Sequence, residues 1–137
     1  MRDSPATVIF ACIHNAGRSQ MASAFFNAIA NPGKAQSISA GMEPAKHVHP
    51  EVVESMKEAG FDISSLVPRK LTAELARGAT LLVTMGCGDK CPYIAGLRII
   101  DWALPDPHGQ PVERVREIRD DIRTRVAELV MKEGWAL

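Results

Sequence analysis

The eight residues Cys12-Ile13-His14-Asn15-Ala16-Gly17-Arg18-Ser19 combine a thiol, five intervening residues, an arginine and a serine. A guanidinium can hold two oxygens of a tetrahedral anion at once, and unpaired backbone N–H groups at a helix start attract negative charge. A thiol in the same field gains thiolate character, and the thiolate is the form that attacks. The pattern therefore predicts Cys12 as a nucleophile and Arg18, with the amides of residues 13–19, as an oxyanion cradle. Ser19 is expected to donate to the sulfur, and Asn15 to hold the loop by bonding its backbone. The lysine and first glycine of a nucleotide P-loop are missing. Stripped of its setting, the same pattern would equally fit a small buried cysteine at a strand end and a solvated arginine.

The setting favours chemistry. Thr7-Val8-Ile9-Phe10-Ala11 is an apolar, β-type run directly before the thiol, and Gln20 to Phe26 reads as the opening of a helix. Ala22, Phe25, Phe26 and Ile29 recur at helical spacing, and Asn31-Pro32-Gly33 ends the helix. Gln36 to Gly41 is a short strand candidate that a right-handed crossover would make parallel to the first. A second helix is expected from a cap at His49, with Pro50 in its first turn, Val52, Val53, Met56 and Ala59 inward, and a stop at Gly60. His47 and His49 read as loop and cap residues rather than metal ligands. Phe61 to Ser65 begins a surface connection, Arg69-Lys70 reads as a solvated pair, and Thr72 to Ala76 as a short helical piece.

Thr80 to Met85 has no polar face and suits a central parallel strand covered on both sides. It leads into Gly86-Cys87-Gly88-Asp89-Lys90-Cys91-Pro92. Ligands of doubly wound sheets lie beyond the carboxyl ends of the strands, so this loop is expected on the edge that carries Cys12. Arg98 to Asp101 is the last strand. The Leu104-Pro105-Asp106-Pro107-His108-Gly109 loop after it offers Asp106 either as a proton donor near Cys12 or as a turn-forming residue. Val112 to Glu133 is a long amphipathic helix with Val115, Ile118, Ile122, Val126, Leu129 and Val130 as its apolar stripe. Asp121 with Arg125 and Glu128 with Lys132 stand at i,i+4 on its outer, surface face. Gly134 stops this helix, and Trp135 to Leu137 either dock or fray.

A length of 137 residues with 46% apolar composition supports one domain, residues 1–137, with a real core. Sixteen basic and sixteen acidic residues cancel, so net charge provides no nucleic-acid or membrane surface. The polar N-terminus and the short apolar run behind it make no signal segment, and a cytoplasmic location is expected. Three cysteines in a reducing compartment point to thiol chemistry or metal binding rather than a disulfide framework.

The Cys12 to Ser19 loop, the Ser39-Ala40-Gly41 strand end, Glu58-Ala59-Gly60-Phe61-Asp62-Ile63-Ser64, the cysteine loop and Asp106-Pro107 occur in this order over nearly the full length. Together they resemble the arsenate reductases built on the low-molecular-weight tyrosine phosphatase fold. The resemblance implies an α/β fold, a four-stranded parallel sheet with helices on both faces. It implies arsenate as substrate and Cys12 as the nucleophile of a thiol-arsenate adduct. Arg18 and the loop amides would bind the oxyanion, Ser19 would support the thiolate, and Asp106 would be the general acid. In three-thiol members a second cysteine attacks the adduct and a third closes a disulfide, which an external dithiol reduces. Cys87 and Cys91 match those positions.

The gap between Cys87 and Cys91 is shorter than in thioredoxin-coupled members. Met85-Gly86-Cys87-Gly88-Asp89 is more similar to the group in which mycothiol or glutathione captures the arsenic. The reductant implied is therefore an external thiol, whether thioredoxin, mycothiol or glutathione with glutaredoxin, and no bound cofactor or metal is expected. Arg69-Lys70 stands where potassium-binding members carry an acid, which speaks against a bound cation. A phosphotyrosine phosphatase would use the same loop, but here His108-Gly109 replace the tyrosines that line its cleft. The remaining alternatives are a sensor holding arsenite on Cys87 and Cys91, and a zinc site made by those cysteines with two histidines.

Overall fold

A computed structural model describes residues 5–86 and 94–137. Strand β1 (Ala6–Cys12) is followed by helix α1 (Arg18–Ile29), β2 (Ala35–Gly41), α2 (Pro50–Glu58), the short α3 (Ala73–Arg77), β3 (Leu81–Thr84), β4 (Arg98–Asp101) and α4 (Val112–Glu133). The strands form one four-stranded sheet in the order β2-β1-β3-β4. Every pairing is parallel, with Cys12 opposite Gly41 at the end of β1 and Ala11 opposite Thr84 of β3.

The alternation of side chains along a strand explains why the central strands carry no polar face. Val8, Phe10 and Cys12 of β1, with Leu81 and Val83 of β3, pack with α1, α2 and α4. Ile9 and Ala11, with Leu82, turn to the opposite face, where Leu71 and Ala76 cover them. Cys12 thus shares a face with the aromatic centre of the core. There Phe10 meets Phe26 edge-on at 5.7 Å and Trp102 at 5.8 Å. The helices lie on both faces of the sheet, as the resemblance implied, and among the described residues no helix is long and apolar enough to cross a membrane.

Helix α4 runs between its expected ends, its six-residue apolar stripe is buried throughout, and Gly134 closes it in the left-handed conformation at φ 75°. Its charged face does more than the sequence suggested. Arg116 and Arg119 reach Glu58 at the end of α2, Arg119 also donates to the Ser55 carbonyl oxygen, and Arg123 lies over the rings of Phe25 and Phe61. Of the two i,i+4 pairs only Asp121 with Arg125 closes, at 3.1 Å. The C-terminal residues dock: the Trp135 ring lies 5.9 Å from that of Phe26, and its carbonyl accepts the Asn31 N–H at 2.8 Å.

Helix α1 begins at Arg18, two residues before the sequence suggested. Ser19 is therefore a first-turn residue and Gly17 the N-cap. No capping signature marks this start, because the groups a cap would satisfy are left facing the loop.

Phe10 is fully buried between the sheet and two aromatic neighbours. Phe10→Ala is expected to lower stability by about 3–5 kcal/mol in urea unfolding. Met131→Ala, at a residue 70% exposed, is expected to stay within about 0.5 kcal/mol of the parent.

Candidate active site

Between Cys12 and the first turn of α1 the chain makes a tight loop whose one non-glycine residue with positive φ is Asn15, at 51°. Asparagine tolerates this region better than most residues. The loop carbonyls face outward. Cys12 O accepts from Met42 N–H at 3.3 Å, Ile13 O from Glu43 at 2.7 Å, His14 O from Ala45 at 3.0 Å and Ala16 O from His49 at 2.9 Å. Among the described residues none of the amides of residues 13–17 has a hydrogen-bond acceptor. The N-terminus of α1 has no side-chain cap and no acidic residue in its first turn. Such a set of unpaired donors favours an anion.

Gly41 allows this loop to sit against β2. A Cβ there would stand 2.8 Å from both the Asn15 nitrogen and the Ile13 carbonyl oxygen. The Asn15 carboxamide then binds three partners. It donates to Ser19 Oγ at 2.7 Å, and its oxygen accepts the Arg69 N–H at 2.9 Å and Gln20 Nε2 at 3.2 Å. Asn15 therefore holds the loop through Ser19 and the remote Arg69 amide, not by bonding the loop's own backbone as expected. The Arg69 side chain is solvated, as the sequence suggested, while its backbone belongs to the site.

Ser19 Oγ lies 2.9 Å from Cys12 Sγ. A thiolate can only accept, so with Cys12 in that form the Ser19 proton goes to the sulfur while Ser19 accepts from Asn15. Cys12 is 2% exposed and Arg18 6% exposed. Arg18 Nη1 donates to the Leu104 carbonyl oxygen at 2.8 Å. Gly86, at φ 82°, lies beside this bond, since a Cβ on it would be 2.7 Å from Nη1 and 2.9 Å from the Leu104 carbonyl oxygen. The loops after β3 and β4 thus pin the guanidinium from the edge where the sequence placed the site.

Asp106 lies on the loop that reaches Gly17. Pro107 Cγ would be 3.1 Å from a Cβ built on Gly17. The Asp106 carboxylate accepts the His108 N–H at 3.0 Å, so it is also the turn former of the plain reading. Glu51, in the first turn of α2, anchors this loop by accepting the Gly109 N–H at 3.0 Å and facing His108 Nδ1 at 3.5 Å. Burial works to raise the Glu51 carboxyl pKa. The Gly109 amide, its own amide and the two histidines outweigh burial and hold it below the usual range.

Cys12, Asn15, Arg18 and Ser19 come together, with Asp106 on the adjoining loop. Cys87 and Cys91, and any zinc or arsenite site made from them, lie outside the described residues. His49 occupies the N-cap position of α2 without a side-chain capping bond, and its ring stacks on His108 at 3.9 Å. Sequence reading missed Glu51 and the Arg69 amide. Pro50-Glu51 at a helix start was the only signal for the first, and the second had none.

A buried thiol at the carboxyl end of a parallel strand, followed by a loop of unpaired amides, an uncapped helix start and a buried arginine, defines an α/β protein with a thiol in an anion-favouring loop. A model of the low molecular weight phosphotyrosine protein phosphatase family matches residues 7–134, and the chain belongs to that family. It is 42% identical to a Halobacterium salinarum protein named "Putative arsenate reductase" over 131 residues, 93% of this chain and 92% of that one. It is 34% identical to the glutaredoxin arsenate reductase of Synechocystis, over 91% of this chain and 96% of that one. The solved thioredoxin-dependent arsenate reductase of Corynebacterium glutamicum superposes with a TM-score of 0.80 at 38% identity. That match covers 96% of this chain, which spans 63% of the Corynebacterium chain.

Asn15→Asp keeps a residue that tolerates positive φ but presents an oxygen to Ser19 in place of an N–H. The Ser19 proton then turns from the sulfur toward the carboxylate. A hydrogen bond to a charged group contributes about 1.5–3 kcal/mol. Alkylation of Cys12 by iodoacetamide at neutral pH, in a Cys87→Ser/Cys91→Ser background, is accordingly expected to slow by roughly tenfold or more. An unchanged rate in a folded variant would contradict this role for Asn15.

Proposed function

We propose that the chain reduces arsenate to arsenite, with Cys12 as nucleophile and an external thiol as the final reductant. The observation that carries this reading is the buried Cys12 and Arg18 pair, with Gly86, the residue immediately before the second cysteine in sequence, packed against that same arginine. Hydrolysing a phosphate ester needs one thiol and a water, whereas a two-electron reduction needs a second thiol. The three cysteines therefore favour reduction over phosphatase action. The names of the similar proteins support the same substrate.

Arsenate is tetrahedral and anionic. In the proposed reaction its oxygens take the amides of Ile13, His14, Asn15, Ala16, Gly17, Arg18 and Ser19 and the Arg18 guanidinium. The Cys12 thiolate, steadied by Ser19, attacks arsenic and forms a sulfur–arsenic bond. Asp106, acting as general acid, gives its proton to the departing oxygen, which leaves as water. A second thiolate then attacks Cys12 Sγ, and the sulfur–arsenic bond breaks. Its electron pair stays on arsenic, which departs as arsenite, while the two sulfurs form a disulfide. Arsenic gains the two electrons that the sulfurs lose.

Cys87 is the proposed second thiol, with Cys91 moving the disulfide onward to an external dithiol. The short, glycine-flanked Cys87 to Cys91 spacing equally suits mycothiol or glutathione in the second role. The similar proteins are named for different reductants, glutaredoxin in one and thioredoxin in another. A cytoplasmic setting, where thiol pools stay reduced, suits either route. The activity would serve arsenic detoxification.

Arsenite formation under turnover with a reducing thiol system tests the reading. Cys12→Ser is expected to abolish it. Asp106→Asn is expected to lower kcat by about 10²–10⁴ with a small change in KM, since a general acid acts in the transition state. Arsenite formed undiminished by Cys12→Ser, or phosphotyrosine hydrolysis with no arsenite, would contradict the proposal.

A further inference from the structure

We propose that His49, Glu51 and His108 form a zinc-binding site at the mouth of the oxyanion loop. One ligand atom from each lies within 4.8 Å of the others. The three residues come from two elements. His49 and Glu51 stand at the start of α2, and His108 on the loop between β4 and α4. Two imidazoles and a carboxylate, with the remaining positions left to water, form a donor set well matched to zinc.

The arrangement is poised for a cation in three respects. The two imidazole rings stack at 3.9 Å with an interplanar angle of 20°, so protonating both would place like charges in contact. Burial, and then the neighbouring His108, hold the His49 pKa below its ordinary value against the pull of Glu51 and Asp106. Glu51 supplies the negative charge, which also offsets the helix dipole that would repel a cation at the start of α2.

Two nearly parallel rings cannot both aim a nitrogen lone pair at one ion, so binding requires one to turn. The His108 side chain is 59% exposed and free to do so, while His49 and Glu51 are held on the helix. The ion would then join α2 to the Asp106 loop, replacing the stack and the 3.5 Å contact with direct bonds.

The site is independent of the arsenate reading and is tested without the thiols, which bind zinc themselves. A full-length Cys12→Ser/Cys87→Ser/Cys91→Ser chain is titrated with zinc against a chelating dye, with circular dichroism confirming the fold. One zinc per chain is expected, together with a rise in Tm on saturation. His108→Asn and Glu51→Gln in this background are each expected to weaken binding by at least about tenfold. His47→Asn, at an exposed histidine outside the cluster, should leave it unchanged. No zinc bound, or binding that either His108→Asn or Glu51→Gln leaves within about twofold, would overturn the proposal.

Discussion

Asn15 holds a left-handed backbone at φ 51° while its carboxamide bonds Ser19, the Arg69 amide and Gln20. The rest of the site depends on that junction. The left-handed residue turns the chain so that its carbonyls meet residues 42–49, leaving the amides unpaired for an anion. The carboxamide N–H takes one lone pair of Ser19, and the serine proton goes to Cys12 once the sulfur is a thiolate. The carboxamide oxygen ties the loop to residue 69, adjacent to Lys70, which bridges to Gly41 at the end of β2. A residue with one of these properties alone would lose either the turn or the hydrogen bond that holds Ser19.

The sheet order makes this junction reachable. With β1 between β2 and β3, the carboxyl end of β1 has Gly41 on one side and the chain leading to Gly86 on the other. β4, beside β3, leads to Leu104, whose carbonyl holds Arg18. Each neighbour offers backbone rather than bulk at the point of contact. Glycine at 41 and at 86 is required by space, since a Cβ at either would stand under 3 Å from the loop or the guanidinium. Burial of Arg18 strengthens its attraction for an oxyanion, because a buried charge is poorly screened by water.

The parts legible in the sequence are those decided by local pattern. The unbroken apolar run of β3 fits a strand covered on both faces, the stripe of α4 has a helical period, and both fall where those patterns place them. Cys12, Arg18 and Ser19 are legible because they lie within one short stretch. Asn15 is legible as a site residue but not in its role, since its partner Arg69 is 54 residues away. Helix α1 starts two residues ahead of its expected place because an uncapped helix carries no start signal. The stacking of His49 on His108 depends on two loops meeting, which spacing along the chain does not encode.

A single turnover of fully reduced protein with arsenate, first without added thiol and then with a small thiol such as mycothiol or glutathione, probes the Cys12 chemistry most directly. Arsenite released per chain and the cysteines that become linked are both read, the second by mass spectrometry. The expected result is stoichiometric arsenite, with Cys12 passing through a mixed sulfur species. A Cys87 to Cys91 disulfide would show that the protein supplies the second thiol, and arsenite appearing only with added thiol would show that the small thiol does. Arsenate recovered unchanged under both conditions, with all three cysteines still reduced, would contradict the account.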